Sequence, residues 1–109
     1  MLRINMEFRK GILFVRLVGK LNHDTSYRLD EFLVKTINKH GIKNMVINLD
    51  NLYSLDVEGN KVLKRASDAI KKNKGKSLVC SSSKTINLDY SIKKFLVKNE
   101  LTAMKILNV

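Results

Sequence analysis

The stretch Asn48-Leu49-Asp50-Asn51-Leu52-Tyr53-Ser54-Leu55-Asp56-Val57-Glu58-Gly59 holds the densest polar chemistry of the chain. It leads from an apolar run into a segment of helical periodicity, so Asp56 and Glu58 fall at a helix start. First-turn N–H groups there lack intrahelical partners and the macrodipole is positive, so carboxylates are favoured. As a cap and a first-turn acid, Asp56 and Glu58 together contribute about 1–2 kcal/mol. A signalling role at the same positions is the functional alternative. Other chemistry is sparse. His23 and His40 are far apart, with no Cys pair and no His-x-x-x-His spacing, so no metal site is expected. The lone Cys80 ends an apolar run and reads as a small buried hydrophobe. No Gly-rich phosphate loop, nucleophile elbow or paired-carboxylate motif occurs, which points away from an enzyme and names no catalytic residue or cofactor.

The elements that must position this stretch follow from periodicity. Leu2 to Phe8 alternates apolar and polar residues, as a strand with one wet face does, and Lys10-Gly11 reads as a tight turn. Ile12 to Val18 is almost continuously apolar and suits a strand covered on both faces. Asn22 or Asp24 is placed to cap the next helix, in which Leu29, Phe32, Leu33, Thr36 and Ile37 recur on one side and which ends near His40-Gly41. On that spacing Phe32 faces the sheet and its truncation is costly. Met45 to Leu49 is a short buried strand, with Asp50 to Ser54 a polar connection. Val62, Leu63, Ala66, Ala69 and Ile70 then form a helical stripe ending by Gly75. Ser77 to Cys80 is another strand and Ser81 to Lys84 starts a loop. A third helix runs from Asp89 through Ile92, Phe95 and Leu96, and Ala103 to Leu107 forms a last strand. The order β-β-α-β-α-β-α-β is an α/β fold: a mixed sheet with crossover helices on at least one face.

A chain of 109 residues, 44% hydrophobic and 28% charged, has the balance of one globular domain spanning 1–109. No apolar run approaches the roughly 20 residues of a spanning helix, the start lacks a secretory pattern, and the single cysteine has no partner for a disulfide; a cytoplasmic location is expected. Twenty-one Lys and Arg against ten Asp and Glu give a charge of +11. That attracts polyanions or an acidic protein partner. Nucleic acid is one candidate, through Lys61, Lys64, Arg65, Lys71 and Lys72 on the outer face of the second helix, although a solvated lysine-rich face is the more ordinary reading. Aromatic content of 6% without Trp supplies base stacking poorly.

Two segments carry a family resemblance. Ile12 through Gly19-Lys20-Leu21-Asn22-His23-Asp24-Thr25 resembles a strand followed by Gly-x-Leu-Asp-x-x-Thr, and Asn48-Leu49 through Leu55-Asp56-Val57-Glu58-Gly59 resembles Asn-Leu-x-x-Leu-x-x-Met-Asp-Ser-Ser-Gly. With the order and spacing of the rest, the chain resembles the STAS family, in particular the bacterial anti-sigma factor antagonists of the stage II sporulation type. The resemblance implies a regulatory protein that binds an anti-sigma factor of kinase-type ATP-binding fold and frees a sigma factor for transcription. It also implies a partner surface over Asn22, His23, Asp24, Thr25 and Asp56, Val57, Glu58, Gly59, Asn60, Lys61. The family's kinase partner phosphorylates the Ser after the loop Asp; here that position is Val57, which has no oxygen to accept phosphate. Glu58 follows it, and Asn60-Lys61 replaces an apolar residue and a Gly. An insertion around Ser81 to Asn87 offers hydroxyls at Ser81, Ser82 and Ser83, for which a solvated loop is the commoner role. The alternative class is a constitutive adaptor or structural subunit of a regulatory or membrane-associated complex, for which Val57 is no loss.

Overall fold

A computed structural model describes residues 1–82 and 86–107. Strands β1 (Leu2–Arg9) and β2 (Ile12–Leu21) form the expected antiparallel hairpin, paired from Leu2↔Gly19 to Arg9↔Ile12. Lys10 and Gly11 both have positive φ, as a two-residue hairpin loop requires. β3 (Asn44–Leu55), β4 (Lys76–Cys80) and β5 (Leu96–Val97) add in parallel, giving one sheet in the order β1-β2-β3-β4-β5. The apolar runs of β2 and β3 are thus internal, as their composition predicts.

The connections carry the helices. Between β2 and β3 run α1 (Ser26–Leu29), a π-helical segment (Asp30–Val34) and α2 (Lys35–His40), which stops at Gly41 in the left-handed conformation. The wide turn changes which residues meet the sheet. Leu29, Leu33 and Ile37, four residues apart, are fully buried, while Phe32 is 51% exposed. The Thr36 hydroxyl donates to the Phe32 carbonyl one turn back at 2.6 Å. The expectation that Phe32 faces the sheet is therefore corrected: a straight α-helical register fails through a π turn.

α3 (Val57–Lys72) carries its apolar stripe onto the same face, with Val62, Leu63, Ala66 and Ile70 buried. Two corrections concern the strands. Asp50 to Ser54 lies in the outer half of β3 rather than in a connection: Asn51, Leu52 and Ser54 pair with Val18, Gly19 and Lys20, with register shifts before Val18 and after Gly19, and Leu52 is buried. The last strand is Leu96–Val97, whereas Ala103–Leu107 lies largely in a further helix, α5 (Glu100–Ile106). Asn99 starts α5, its Oδ1 accepting from Thr102 N–H at 2.8 Å, a cap that overrides the local apolar–polar alternation. The third helix expected from Asp89 through Leu96 is corrected to the short α4 (Tyr90–Lys93): Asp89 caps it, but the chain leaves the helix before Phe95 and Leu96 pairs with Val79 as the first residue of β5.

α5 gives the sheet a second covered face, over Ile12, Phe14, Val46, Leu78 and Cys80. The Glu100 carboxylate accepts from Arg16 Nε and Nη2 at 2.9 and 2.8 Å and from Asn48 Nδ2 at 2.8 Å, tying α5 to β2 and β3. The Arg16 guanidinium chiefly holds that carboxyl below its ordinary range. Cys80 is buried as expected, and burial pushes its thiol up to about 12. No helix among the described residues is long and apolar enough to cross a membrane. For the core, Leu33→Ala is expected to cost about 2–5 kcal/mol in a denaturant melt and Phe32→Ala less than about 1 kcal/mol. A larger loss for Phe32→Ala would contradict the π-turn register.

Candidate functional site

β2 and β3 are parallel neighbours, so the segments after Leu21 and Leu55 emerge at one end of the sheet. The Asp56 carboxylate joins them. Its Oδ1 accepts from Gly59 N–H at 2.8 Å, capping α3, and its Oδ2 accepts from His23 N–H at 2.9 Å in the first loop. Asp56 N–H donates to Leu21 O at 3.3 Å, closing the ring. The Gly59 N–H is the main cause that holds the Asp56 carboxyl below its ordinary range, with the His23 and Glu58 N–H groups acting the same way against the opposing effect of burial.

The first loop is shaped internally. Asn22 Oδ1 accepts from Asp24 N–H at 2.9 Å, and Thr25 Oγ1 accepts from Asn22 N–H at 3.0 Å while donating to Lys20 O at 2.9 Å. These bonds present the His23 N–H to Asp56. Neither Asn22 nor Asp24 caps α1: Thr25 is its N-cap, with no side-chain cap bond. The expected cap is corrected, because the Asn22 side chain is spent on its own turn.

Gly59 is buried against the end of β2. A Cβ there would sit 2.4 Å from Leu21 O and 2.7 Å from Leu55 Cδ1, so only glycine lets the first turn of α3 approach this closely. Beside it, Val57 is 69% exposed. Glu58 stands in the first turn with its Oε1 3.3 Å from Lys61 Nζ, a surface pair worth at most about 1 kcal/mol but enough to offset its charge locally. Asn60 makes three bonds. Its Nδ2 donates to Asp56 O and to Asn87 O, each at 3.0 Å, and its Oδ1 accepts from Asp89 N–H at 2.7 Å. The loop before α4 is thereby fastened to the first turn of α3. Leu88, Asp89 and Tyr90 form, with Val57, Asn60 and Lys61, the walls of a depression of about 380 Å³.

All ten residues singled out in the sequence thus lie in two adjoining loops and one helical turn. Sequence reasoning missed Tyr53 and Tyr90, 62% and 84% exposed, and the bridge from Asn60. Exposed aromatics beside polar loops were the available signal; the bridge had none, since it joins segments distant in sequence. Of the serines after β4, Ser82 donates through both N–H and Oγ to Asp50 Oδ1, at 2.8 and 3.1 Å, and Ser83 lies outside the described residues. The basic face of α3 is partly neutralised: Arg65 pairs with Asp30 at 3.0 and 2.6 Å, Lys64 with Asp68 at 3.4 Å, and Lys61 with Glu58. Three of the five groups considered for nucleic acid therefore already have partners. No cluster of three or more metal-ligating side chains occurs among the described residues.

A family model described as the STAS domain matches residues 3–97. An anti-sigma F factor antagonist of Paenibacillus polymyxa is 33% identical over 79 residues, spanning 72% of this chain and 68% of that protein. Among solved structures, an anti-sigma factor antagonist from Mycobacterium paratuberculosis superposes with a TM-score of 0.82 at 17% identity, over 100% of this chain and 96% of its own. The anti-sigma factor antagonist SpoIIAA in its unphosphorylated form gives a TM-score of 0.74 at 12% identity, over 98% of this chain and 100% of its own. At such identities the structural likeness establishes the fold.

Two outcomes test the ring around Asp56. Gly59→Ala is expected to destabilise by about 1–3 kcal/mol, as overpacking does, read from a denaturant midpoint. The Asp56 carboxyl binds its proton less readily folded than unfolded, so its contribution is fully present above the unfolded value near pH 4 and is lost as pH falls through the folded value. Asp56→Ala is expected to cost about 1 kcal/mol at pH 7 and to flatten the acid limb of the stability curve. An unchanged acid limb would contradict the role given to this carboxylate.

Proposed function

The chain belongs to the STAS domain family, and from that premise we propose that it is an anti-sigma factor antagonist whose docking surface cannot be switched off by phosphate at the loop position. The surface is the end of the sheet bearing Asn22 to Thr25 and Asp56 to Lys61. The partner is an anti-sigma factor of kinase-type ATP-binding fold, whose capture releases a sigma factor. The observation that carries this reading is the pairing of a complete Asp56 ring with a bare hydrocarbon at Val57, exposed beside it.

The physical consequence is a fixed electrostatic state. A phosphate at a helix start brings a charge of about −1.5 to −2 and three acceptor oxygens. Glu58 brings one charge, already met by Lys61, and no tetrahedral acceptor. Val57 and Tyr90 leave apolar surface next to the cap, the kind of surface a partner's side chains bury. The family placement supports binding rather than chemistry, and the partner pairs already made by Lys61, Lys64 and Arg65 weigh against a nucleic-acid role.

A pull-down from the native cell identifies the partner, and two measurements follow. By titration calorimetry, Val57→Asp is expected to weaken binding tenfold or more, since it buries an unpaired charge; unchanged affinity removes Val57 from the interface. By mass spectrometry after incubation with the partner and ATP, the natural chain is expected to stay unmodified over residues 54–61, while Val57→Ser gains a phosphate. Phosphate on the natural chain within 54–61 would contradict the proposal.

A further inference from the structure

Away from the Asp56 surface, at the opposite half of α3, a cleft of about 230 Å³ opens between α3 and the β4 edge. Its origin is topological. β5 pairs with Val79 and Cys80, and among the described residues no strand flanks the first residues of β4 on that side. Val79 N–H donates to Phe95 O at 3.0 Å, and by strand alternation the N–H of Ser77 is directed to the same edge, where β5 does not reach. The helix lines the cleft with one stripe, Lys64, Ser67, Asp68 and Lys71, and Lys76 and Lys94 close it from the strand and from the end of α4.

The chemistry of the walls is one-sided. Four lysines meet a single lining carboxylate, Asp68, which is paired with Lys64. Lys71, Lys76 and Lys94 have no ion-pair partner among the described residues. At the floor the Ser67 and Ser77 hydroxyls are 2.7 Å apart, one donating to the other, which leaves one hydroxyl proton to offer elsewhere; Ser77 is only 8% exposed. Ile92 and Phe95 supply an apolar wall. Like charges gathered around one concavity repel unless an anion enters, and the ammonium groups, a hydroxyl and a strand N–H match a tetrahedral oxyanion.

We propose that this cleft binds a small phosphomonoester, with the phosphoryl group among Lys71, Lys76, Lys94 and Ser77 and a short apolar moiety against Ile92 and Phe95. The volume is below the range usual for drug-sized ligands, which limits the organic part to about one ring. Lys64 stands between this cleft and the depression beside Val57, but Lys71, Lys76, Lys94 and Ser77 lie outside the partner surface, so the proposal does not depend on its assignment.

Phenyl phosphate serves as the probe in an amide NMR titration of the full chain at constant ionic strength. The expected result is saturable shifts centred on Ser67, Lys76, Ser77 and Phe95, with affinity at least tenfold weaker in the double variant Lys76→Gln/Lys94→Gln and unchanged in Lys72→Gln. Both replaced lysines are exposed, so the fold is retained; Ser77→Ala gives an independent variant, expected to weaken binding severalfold. Shifts that do not saturate, that spread over the whole lysine-rich surface, or that persist with equal affinity in the double variant would overturn the proposal.

Discussion

The Asp56 carboxylate sets the geometry on which the sheet end depends. A carboxylate at a helix start commonly accepts one N–H and leaves its second oxygen to water; here the second oxygen is spent on His23, a residue in another connection. That one group therefore fixes both the entry angle of α3 and the position of the loop after β2. Leu21 is held from two directions, through its carbonyl by Asp56 N–H and through the close approach of Gly59. Neither contact exists without the parallel pairing of β2 and β3, which delivers both chain segments to the same edge. Sites at the C-terminal ends of parallel strands follow from the same topology.

Asn60 extends the arrangement to a third segment. By pairing with the backbone of Asn87 and Asp89, it places Tyr90 next to Val57, so the exposed surface combines a rigid polar base with apolar projections. A chain charge of +11 draws acidic partners toward such a surface and affects encounter rate more than fit. Val57 offers no hydroxyl at that position, and its exposed side chain adds hydrocarbon to this end of the sheet.

The parts legible in the sequence were those dictated by local pattern. The hairpin with Lys10-Gly11, the double-sided burial of β2, the stripe of α3 and the Asp56 cap each follow from periodicity or capping chemistry within a few residues. What escaped depended on tertiary context. Phe32 faces outward because of a π turn that no pattern of apolar residues announces. The outer half of β3 looks polar because Asp50, Asn51 and Tyr53 are exposed, and only its pairing with Val18 to Leu21 makes it strand. Ala103 to Leu107 alternates like a strand, but Asn99 and the Glu100–Arg16–Asn48 contacts hold most of it as helix. At this end of the sheet, the ten positions are singled out by motif order, whereas the Asn60 bridge and the tyrosines belong to contacts across the fold.

The central claim, that the sheet end around Asp56 is a preformed docking surface, is tested most directly by hydrogen exchange of the chain alone and in complex with its captured partner. Amides in 22–25 and 56–61 are expected to gain protection on complex formation, with the rest of the sheet unchanged. Protection confined to other segments, with these two left as in the free chain, would contradict it.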